Sequence, residues 1–223
     1  MSKPLILIGA GGFARETIEL VRAINREAPE WELIGLLDDD PELRGEELLG
    51  VPVLGPCTAV EEYQEASVVA CVASPQDPLR RLRLVARLGL RLDRFATLVH
   101  PRATVADSAT IGPGSVVHAN CVLTADIELG WHVALMPAVV LTHDDTIEDG
   151  VTFGAGAKVS GGVTVGAGAY IGTGALLREH ISVGAIAVVG MGAIVTKPVP
   201  RGETWYGSPA RPASQPLPLE AVK

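Results

Sequence analysis

Residues 150–177 read GVTFGAGAKVSGGVTVGAGAYIGTGALL, and an apolar residue recurs at every sixth position of this stretch. The same register extends without a break from Val105 to Val195, and all sixteen of its positions are apolar. Hydrophobic residues make up 48% of the chain, so chance would fill only about half of these positions. A period of six indicates a short strand followed by a corner, and three such units close one triangular coil of a parallel β-helix.

Small residues accompany the repeat, as a tightly coiled chain requires. Glycine directly follows the periodic residue at seven positions, where we expect the chain to turn: Gly112, Gly130, Gly154, Gly166, Gly172, Gly184 and Gly190. Pro198 and Pro200 end the regularity. We therefore assign residues 99–197 to the β-helix and expect residues 198–223 to form an irregular segment that folds back over the last coil.

Residues 1–98 alternate between short apolar runs and amphipathic segments. PLILIG, WELIGLLDDD and SVVACVAS read as strands, FARETIELVRAINREA and PLRRLRLVARLGL read as helices, and RFATLV reads as a short fourth strand. Continuous apolar strands alternating with helices indicate a small parallel, Rossmann-like α/β sheet. The chain is thus expected to contain an α/β domain followed by an all-β domain.

A glycine-rich turn lies between the first strand and the first helix. Gly9, Gly11 and Ala14 match the pattern G-x-G-x-x-G/A, and the next strand ends in Asp38 and Asp39. Such a turn lets backbone amides and a helix N-terminus approach an anion, which favours nucleotide binding. The alternative is a tight turn with aspartates that cap a loop. A complete dinucleotide site is not expected, because the second half of a dehydrogenase domain is missing.

Composition narrows the class of partner. The formal charge of −8 argues against nucleic acid or an anionic membrane as the general partner, and no apolar run is long enough to span a bilayer. Cys57, Cys71 and Cys121 are odd in number and lie in apolar runs, which predicts buried thiols in a reducing compartment. The glycines interrupt the only N-terminal run that could imitate a secretion signal. We therefore expect a cytoplasmic protein.

The hexads resemble those of the hexapeptide-repeat acyltransferases. Two further features are similar to the NeuD/PglD group of sugar acetyltransferases: LILIGAGGFARE followed by LIGLLDDD, and the stretch LVHPRATV that enters the repeat. LTHDD and YGSPARP stand where that group has its His-acid pair and its closing Gly-x-Pro-Ala segment. The resemblance implies a left-handed β-helix, a homotrimer, and acetyl-CoA bound in clefts between subunits.

The repeat register places the His-acid pair at a corner. Because Leu141 is a buried repeat position, His143 and Asp144 project away from the core. A histidine suits the removal of a proton from an amine or hydroxyl near neutral pH, and an adjacent carboxylate orients it. We expect His143 to be the general base and Asp144 its orienting partner. The alternative is that both side chains only satisfy a solvated corner. Asp145 occupies a position that is usually small and apolar, and the sequence does not explain it.

Residues 18 apart lie on one edge of a triangular helix. Gly161 and Lys197 therefore share the edge of His143, with Lys197 on the order of 14 Å away at about 4.8 Å per coil. Under the resemblance, this span would suit a pantetheine arm, with Gly161 backbone amides near the thioester carbonyl. The expected acetyl-CoA contacts are Gly161, Gly190, Met191, Lys197 and Arg201. The expected nucleotide-sugar contacts are Gly9, Gly11, Gly12, Phe13, Arg15, Asp38 and Asp39.

The chain departs from the group pattern at several positions. Phe13 and Ala14 replace a His and a Gly of the glycine loop, Met136 replaces an asparagine, and Thr152 replaces a second histidine. These changes leave the general base in place and bear on acceptor identity and on some acetyl-CoA contacts.

The leading hypothesis is an acetyltransferase that acts on the amino group of a nucleotide-linked, UDP-type amino sugar. The alternatives are an O-acetyltransferase for sialic acid or a related sugar, and a non-catalytic trimeric nucleotide-sugar-binding protein. The spacings H-x-H and H-x4-H, which would indicate a metal hydratase, do not occur in the sequence, so no metal is expected. His118, His132 and His180 are expected at the surface or at an interface, and His100 at the domain junction.

Overall fold

The computed structural model describes residues 2–213, and its first domain is an α/β sheet. Its strands are β1 (Lys3–Ile8), β2 (Trp31–Leu37), β3 (Glu47–Leu48), β4 (Val51–Gly55) and β5 (Ser67–Ala70), in the order β3-β4-β2-β1-β5. β1 pairs in parallel with β2 and β5, β2 in parallel with β4, and only the short β3 is antiparallel to its neighbour. Helices α1 (Gly12–Glu27) and α2 (Arg80–Leu88) accompany the sheet. Short 3-10 helices span Pro41–Leu43, Cys57–Glu62 and Leu92–Arg94.

One strand assignment from the sequence is wrong. The fourth parallel strand of the sheet is β4, in VPVLG, whereas RFATLV supplies β6 (Leu98–Val99), which pairs with the β-helix instead. Pro52 within β4 hides the strand from sequence reasoning, since proline is uncommon in paired strands. The same stretch meets the α/β sheet at an isolated bridge between Val68 and Phe95.

The second domain is a parallel β-helix with three faces, each built from two-residue strands. The first face contains β6, β9 (Val116–Val117), β12 (Ala134–Leu135), β15 (Thr152–Phe153), β18 (Tyr170–Ile171) and β21 (Val188–Val189). The second contains β7 (Thr104–Val105), β10 (Val122–Leu123), β13 (Val140–Leu141), β16 (Lys158–Val159), β19 (Leu176–Leu177) and β22 (Ile194–Val195). The third contains β8 (Thr110–Ile111), β11 (Glu128–Leu129), β14 (Thr146–Ile147), β17 (Thr164–Val165) and β20 (Ser182–Val183). Each strand pairs with the strand 18 residues away, as the six-residue period predicts.

The periodic residues form one continuous apolar column. From Val117 to Val195 every one of them is buried, and only Val105 and Ile111, in the first coil, are half-buried. Burial of a Val, Leu or Ile side chain contributes roughly 1.5–3 kcal/mol relative to exposure. The column is therefore the main source of stability of this domain.

The corners have their own regularity. The third residue after each buried repeat position is in the left-handed region, with positive φ, through fourteen successive corners: Gly114, Asn120, Asp126, His132, Ala138, Asp144, Gly150, Gly156, Gly162, Gly168, Gly174, His180, Ile186 and Gly192. The seven glycines that directly follow the repeat residue serve a different purpose. A Cβ at Gly172, for example, would lie 2.5 Å from the Met191 nitrogen of the next coil. Those glycines permit close stacking of coils rather than an unusual φ.

The end of the chain also differs from expectation. Residues 204–212 are not irregular, because β23 (Thr204–Gly207) pairs with β21 and β24 (Ala210–Pro212) folds back antiparallel to β23. The first face is thereby extended beyond the last regular coil. Residues 214–223 of the expected irregular segment lie outside the described residues.

The α/β domain packs on the first face and on the adjoining third–first edge of the β-helix. Leu98 and Val116 of the first face belong to the apolar core of the α/β domain. On the third–first edge, Gly150 and Gly168 face two leucines of the α2 region, since a Cβ at either glycine would collide with Leu82 or Leu79. The second–third edge, which carries His143, is opposite to the covered face.

Arg81 on α2 ties the two domains together. Its side chain is 2% exposed and donates hydrogen bonds to the carbonyls of Val72, His132, Gly150 and Val151, at 2.9–3.1 Å. It also donates to the Thr152 hydroxyl at 2.8 Å. Burial lowers the pKa of the guanidinium to about 10. These five oxygens take the place of water around a buried charge, as a buried cation requires.

Replacement of Arg81 by alanine is expected to lower the free energy of unfolding by roughly 3 kcal/mol, because buried carbonyls lose their donor and a cavity opens. The control is Arg83→Ala on the same helix, whose exposed ion pair with Asp77 is worth only about 0–1 kcal/mol. Urea denaturation of both variants measures the difference. Equal stability of the two variants would contradict the role of Arg81 as the interdomain tie.

Candidate active site

The glycine loop follows β1 and leads into the N-terminus of α1. Gly9 has φ +105°, and a Cβ there would lie 2.9 Å from both the Cys71 carbonyl oxygen and Val72. Gly11 is the N-cap of α1 and has no side chain to satisfy the first amides. A Cβ at Gly11 or Gly12 would meet nothing within 4 Å, so this side of the loop is open. The loop thus presents a helix N-terminus to a cavity, as an anion site needs.

Asp38 and Asp39 hold the loops around this cavity. Asp38 accepts hydrogen bonds from the Ala10 N–H at 2.7 Å and from the Asp40 N–H at 2.9 Å, which fixes the glycine loop against β2. Asp39 accepts from the Cys57 N–H at 2.9 Å and pairs with Arg87 at 2.5 Å. Burial opposes ionisation of Asp39, but the hydrogen bonds from Cys57 and Arg87 outweigh it and lower its pKa. Both aspartates are therefore already engaged in positioning backbone and α2.

Two adjoining cavities lie at the carboxyl ends of these strands, each about 390 Å³. Gly9, Asp38 and Asp39 line both of them, and Arg80 at the start of α2 lies between the two. One cavity continues along α2 past Arg83 and Arg87. The sequence pattern did not single out these arginines, although their spacing places them on one helix face. Guanidinium groups beside a glycine loop suit a phosphate-bearing ligand.

One of the expected nucleotide contacts, Arg15, lies apart from the others. Phe13 lines the loop cavity but reaches toward the domain junction, with its ring centroid 6.0 Å from that of His118 and 5.9 Å from the Arg81 guanidinium carbon. Arg15 is exposed and lines a different groove, between α1 and the β-helix, with His100 and His118. Gly9, Gly11, Gly12, Phe13, Asp38 and Asp39 share one cavity, and Arg15 does not.

His143 and Asp144 lie on the exposed second–third edge. His143 Nδ1 is 2.7 Å from an Asp144 carboxylate oxygen, and the two side chains are 62% and 66% exposed. Because a carboxylate only accepts, Nδ1 carries the proton and Nε2 of the neutral ring is free to accept one. An ion pair this exposed contributes about 0–1 kcal/mol to stability, so its structural value is small. Its geometry is that of an oriented general base.

Gly161 lies directly beneath the imidazole in the next coil. A Cβ at Gly161 would be 2.5 Å from His143 Nε2, so only glycine leaves room for the ring. The two corners are linked, because Gly162 donates its N–H to the His143 carbonyl at 2.9 Å. Lys197 is exposed in the same 18-residue register.

The remaining expected acetyl-CoA contacts lie on other edges of the same chain. Gly190 and Met191 line an apolar cavity of about 460 Å³ beside Tyr170 and Tyr206, at the first–second edge. Arg201 stacks on Gly184 at the third–first edge. One chain therefore does not gather all five residues into one cleft.

Asp145 points into the β-helix interior and is completely buried. One carboxylate oxygen accepts from the Val163 N–H at 2.9 Å, and the other has no hydrogen-bond partner among residues 2–213. Burial raises the pKa of Asp145 to about 7, against the hydrogen bond from the Val163 N–H, which lowers it. A titratable carboxyl thus lies at the same corner as the candidate base, two residues after it.

Two of the histidines expected at the surface or at an interface lie between the two domains. His118 and His132 are 4% and 2% exposed and lie at the domain junction, where His132 packs edge to face on Phe95 at 4.5 Å. Burial is the main cause that lowers the pKa of each to about 4. His180 is exposed, and His100 lies one coil from His118 beside α1.

The structure explains one departure from the group pattern, Thr152, and locates another, Met136. Thr152 is buried and accepts a hydrogen bond from Arg81, so it belongs to the domain tie. Met136 follows β12 at the first–second edge and is half-buried, and its carbonyl accepts from the Cys121 thiol.

Residues 2–213 contain neither a cluster of metal ligands nor a helix that could span a membrane. Within residues 2–213 no cluster of three or more His, Cys, Asp or Glu side chains is arranged to hold a metal ion. The helices of the same residues are too short or too polar to cross a bilayer.

Family models match both halves of the chain. Residues 4–87 match the PglD N-terminal domain, and residues 146–179 match the bacterial transferase hexapeptide repeat. GDP-perosamine N-acetyltransferase of Escherichia coli O157:H7 is 33% identical over 168 residues, which is 74% of this chain and 73% of that protein. UDP-N-acetylbacillosamine N-acetyltransferase of Bacillus subtilis is 35% identical over 121 residues, and the match spans about half of each protein (52%).

Solved structures show the same architecture over nearly the whole chain. The acetyltransferase domain of PglB from Neisseria gonorrhoeae, in complex with acetyl coenzyme A, has a TM-score of 0.84 and 32% identity, covering 96% of this chain and 100% of that one. A histidine-to-asparagine mutant of perosamine N-acetyltransferase from Caulobacter crescentus, in complex with CoA and GDP-perosamine, has a TM-score of 0.83 and 27% identity, covering 95% and 97%. These matches confirm the Rossmann-like domain and the left-handed β-helix.

Replacement of Asp145 by asparagine is expected to stabilise the protein increasingly as pH rises from about 4 to 7, with a constant difference above 7. The folded state raises the pKa of this carboxyl to about 7, so ionisation is penalised only once pH exceeds the unfolded value near 4. Thermal melts of wild type and variant between pH 5 and 8 measure the effect. A difference in Tm independent of pH would contradict the raised pKa.

Proposed function

Since the chain belongs to the hexapeptide-repeat sugar N-acetyltransferases, we propose that it transfers acetyl from acetyl-CoA to the amino group of a nucleotide-linked amino sugar. The observation that carries this proposal is the oriented His143–Asp144 pair on an exposed β-helix edge, beside a glycine that leaves space at the imidazole. The glycine-loop cavity of the α/β domain supplies a place for the nucleotide. Relatives that use UDP- and GDP-linked sugars both match the chain, and UDP stays a prediction.

His143 performs the proton transfers in the proposed mechanism. The acceptor nitrogen attacks the thioester carbonyl carbon, a C–N bond forms, and Nε2 of His143 takes the proton that the nitrogen releases. Asp144 stabilises the imidazolium through its hydrogen bond to Nδ1. When the C–S bond breaks, His143 returns the proton to the sulfur of the leaving CoA. The backbone N–H of Gly161 stabilises the charge on the carbonyl oxygen.

The chemistry of the glycine-loop cavity supports binding of the nucleotide sugar there. Phosphates of the nucleotide sugar lie at the N-terminus of α1 and beside Arg80, where amides and a guanidinium offer donors.

Two solved structures of the perosamine enzyme with CoA and GDP-perosamine are of variants in which a histidine is replaced by Asn or Ala. In that enzyme, both ligands are therefore bound in variants that lack the histidine.

The proposed enzyme is a homotrimer. The α/β domain covers the first face of its own β-helix, whereas His143 lies on the opposite edge, so the two sites of one chain face apart. A neighbouring copy can bring a nucleotide cavity and the first–second edge, with Gly190 and Met191, to this histidine. Gly190 and Met191 of one copy then lie beside Gly161 and Lys197 of the next.

Replacement of His143 by alanine is expected to lower kcat about 10³-fold, within the range of general base catalysis. His180→Ala removes an exposed histidine with no ion pair to a carboxylate in residues 2–213 and should retain activity within about threefold. Mass spectrometry of acetyl transfer across UDP-, GDP- and CMP-linked amino and hydroxy sugars measures both variants. Activity of His143→Ala close to wild type would refute the base assignment. Acetylation of hydroxyls alone would identify an O-acetyltransferase, and binding of both ligands without transfer would identify a non-catalytic protein.

The trimer predicts a mass three times that of the 23.3 kDa subunit. Sedimentation equilibrium in dilute buffer measures it directly. A single subunit mass that persists in the presence of acetyl-CoA would exclude a site shared between copies.

A further inference from the structure

Asp145 is the one acidic residue on the stack of inward-facing positions that also contains Ile127 and Val163. These three residues lie 18 apart, one in each of three successive coils. The carboxyl of Asp145 is 0% exposed and its neighbours in the stack are apolar. A buried carboxyl without a cationic partner costs free energy. Its presence in an otherwise apolar column therefore indicates a role that offsets the cost of burial.

The contact that Asp145 makes recurs elsewhere in the chain with a different residue. Its Oδ1 atom accepts from the Val163 N–H of the next coil at 2.9 Å. At the equivalent hexad position, the Ser115 hydroxyl accepts from the Val133 N–H, again 18 residues on, at 3.0 Å. Both side chains thus supply a hydrogen bond between successive coils. Serine makes this link without a titratable group.

The coil-to-coil bond of Asp145 lies at the candidate active site. Asp145 is two residues after His143, and Val163 is two residues after Gly161, the glycine beneath the imidazole. The backbone bond from the Gly162 N–H to the His143 carbonyl also links these corners, and the Thr146 N–H donates to the Val163 carbonyl at 3.0 Å. Together with these backbone bonds, the Asp145 bond holds the corner that carries the base against the corner that faces it.

We propose that Asp145 is a positioning residue for acetyl transfer, whose buried carboxyl holds the His143 corner at a fixed distance from the Gly161 corner. The role rests on the proposed function of His143. It requires an acceptor atom and not a charge, since serine or an amide oxygen can accept the same N–H. A shift of the base by a fraction of an ångström is sufficient to slow a reaction that depends on alignment.

The test compares Asp145→Ala, Asp145→Ser and Ser115→Ala. Asp145→Ala should lower kcat at least tenfold and change the KM values for acetyl-CoA and nucleotide sugar by less than about threefold, because neither ligand contacts the buried carboxyl. Asp145→Ser restores an acceptor at the same place and should recover kcat to within about threefold of wild type. Ser115→Ala removes the matching link far from His143, and should lower Tm while kcat stays unchanged.

Three results would overturn the proposal: full kcat in Asp145→Ala, no recovery in Asp145→Ser, or an equal loss of kcat in Ser115→Ala. Crystal structures of Asp145→Ala and Asp145→Ser supply a readout that does not need turnover. The imidazole should move relative to Gly161 in the alanine variant and keep its place in the serine variant. If His143→Ala remains active, the base assignment of His143 fails, whereas an unmoved imidazole in Asp145→Ala refutes only the positioning role.

Discussion

The hydrogen-bonded stacking of coils 18 residues apart is the constraint on which the rest of the structure depends. Each two-residue strand is too short to be stable alone. It is stabilised because the corresponding strands of the preceding and following coils pair with it. This stacking aligns the buried residues into one column and the corners into three straight edges. Any side chain at a corner is thereby placed relative to residues 18 positions away. The candidate site is a direct result, since His143 and Gly161 are such a pair.

The constraint also explains which residues the corners accept. A left-handed residue is needed once per corner, and a side chain directly after the repeat residue often collides with the next coil. Asp144 meets the first demand with φ +63°, which aspartate tolerates better than most residues. The acidic partner of the base therefore stands at a position where the backbone already favours an aspartate, an asparagine or a glycine. Local backbone geometry and chemistry agree at this residue.

Buried polar groups mark the two places where the regular β-helix is adapted. At the domain junction, Arg81 replaces water with five oxygens, and Thr152 provides one of them in place of a histidine of the related group. Near the candidate base, Asp145 interrupts the apolar column and links two coils. Hydrogen bonds to the backbone offset part of the cost of burying both groups. Both lie where a purely apolar contact would define the relative position of the two packed segments less well. They connect the stability of the fold to the position of the functional residues.

The sequence by itself determined the β-helix, its three-sided coil and the exposure of His143, because a six-residue period leaves one way to bury the apolar residues. It also located the glycine loop and the two aspartates at the ends of their strands. It did not reveal β4, where Pro52 masks a strand that is paired only after folding. Nor did it reveal Arg81, the buried histidines or the link of Asp145 to Val163. Those features join residues far apart in the chain, and periodicity reports on neighbours within one element or one coil. Only the tertiary structure decides which polar groups meet when the α/β domain closes on the β-helix.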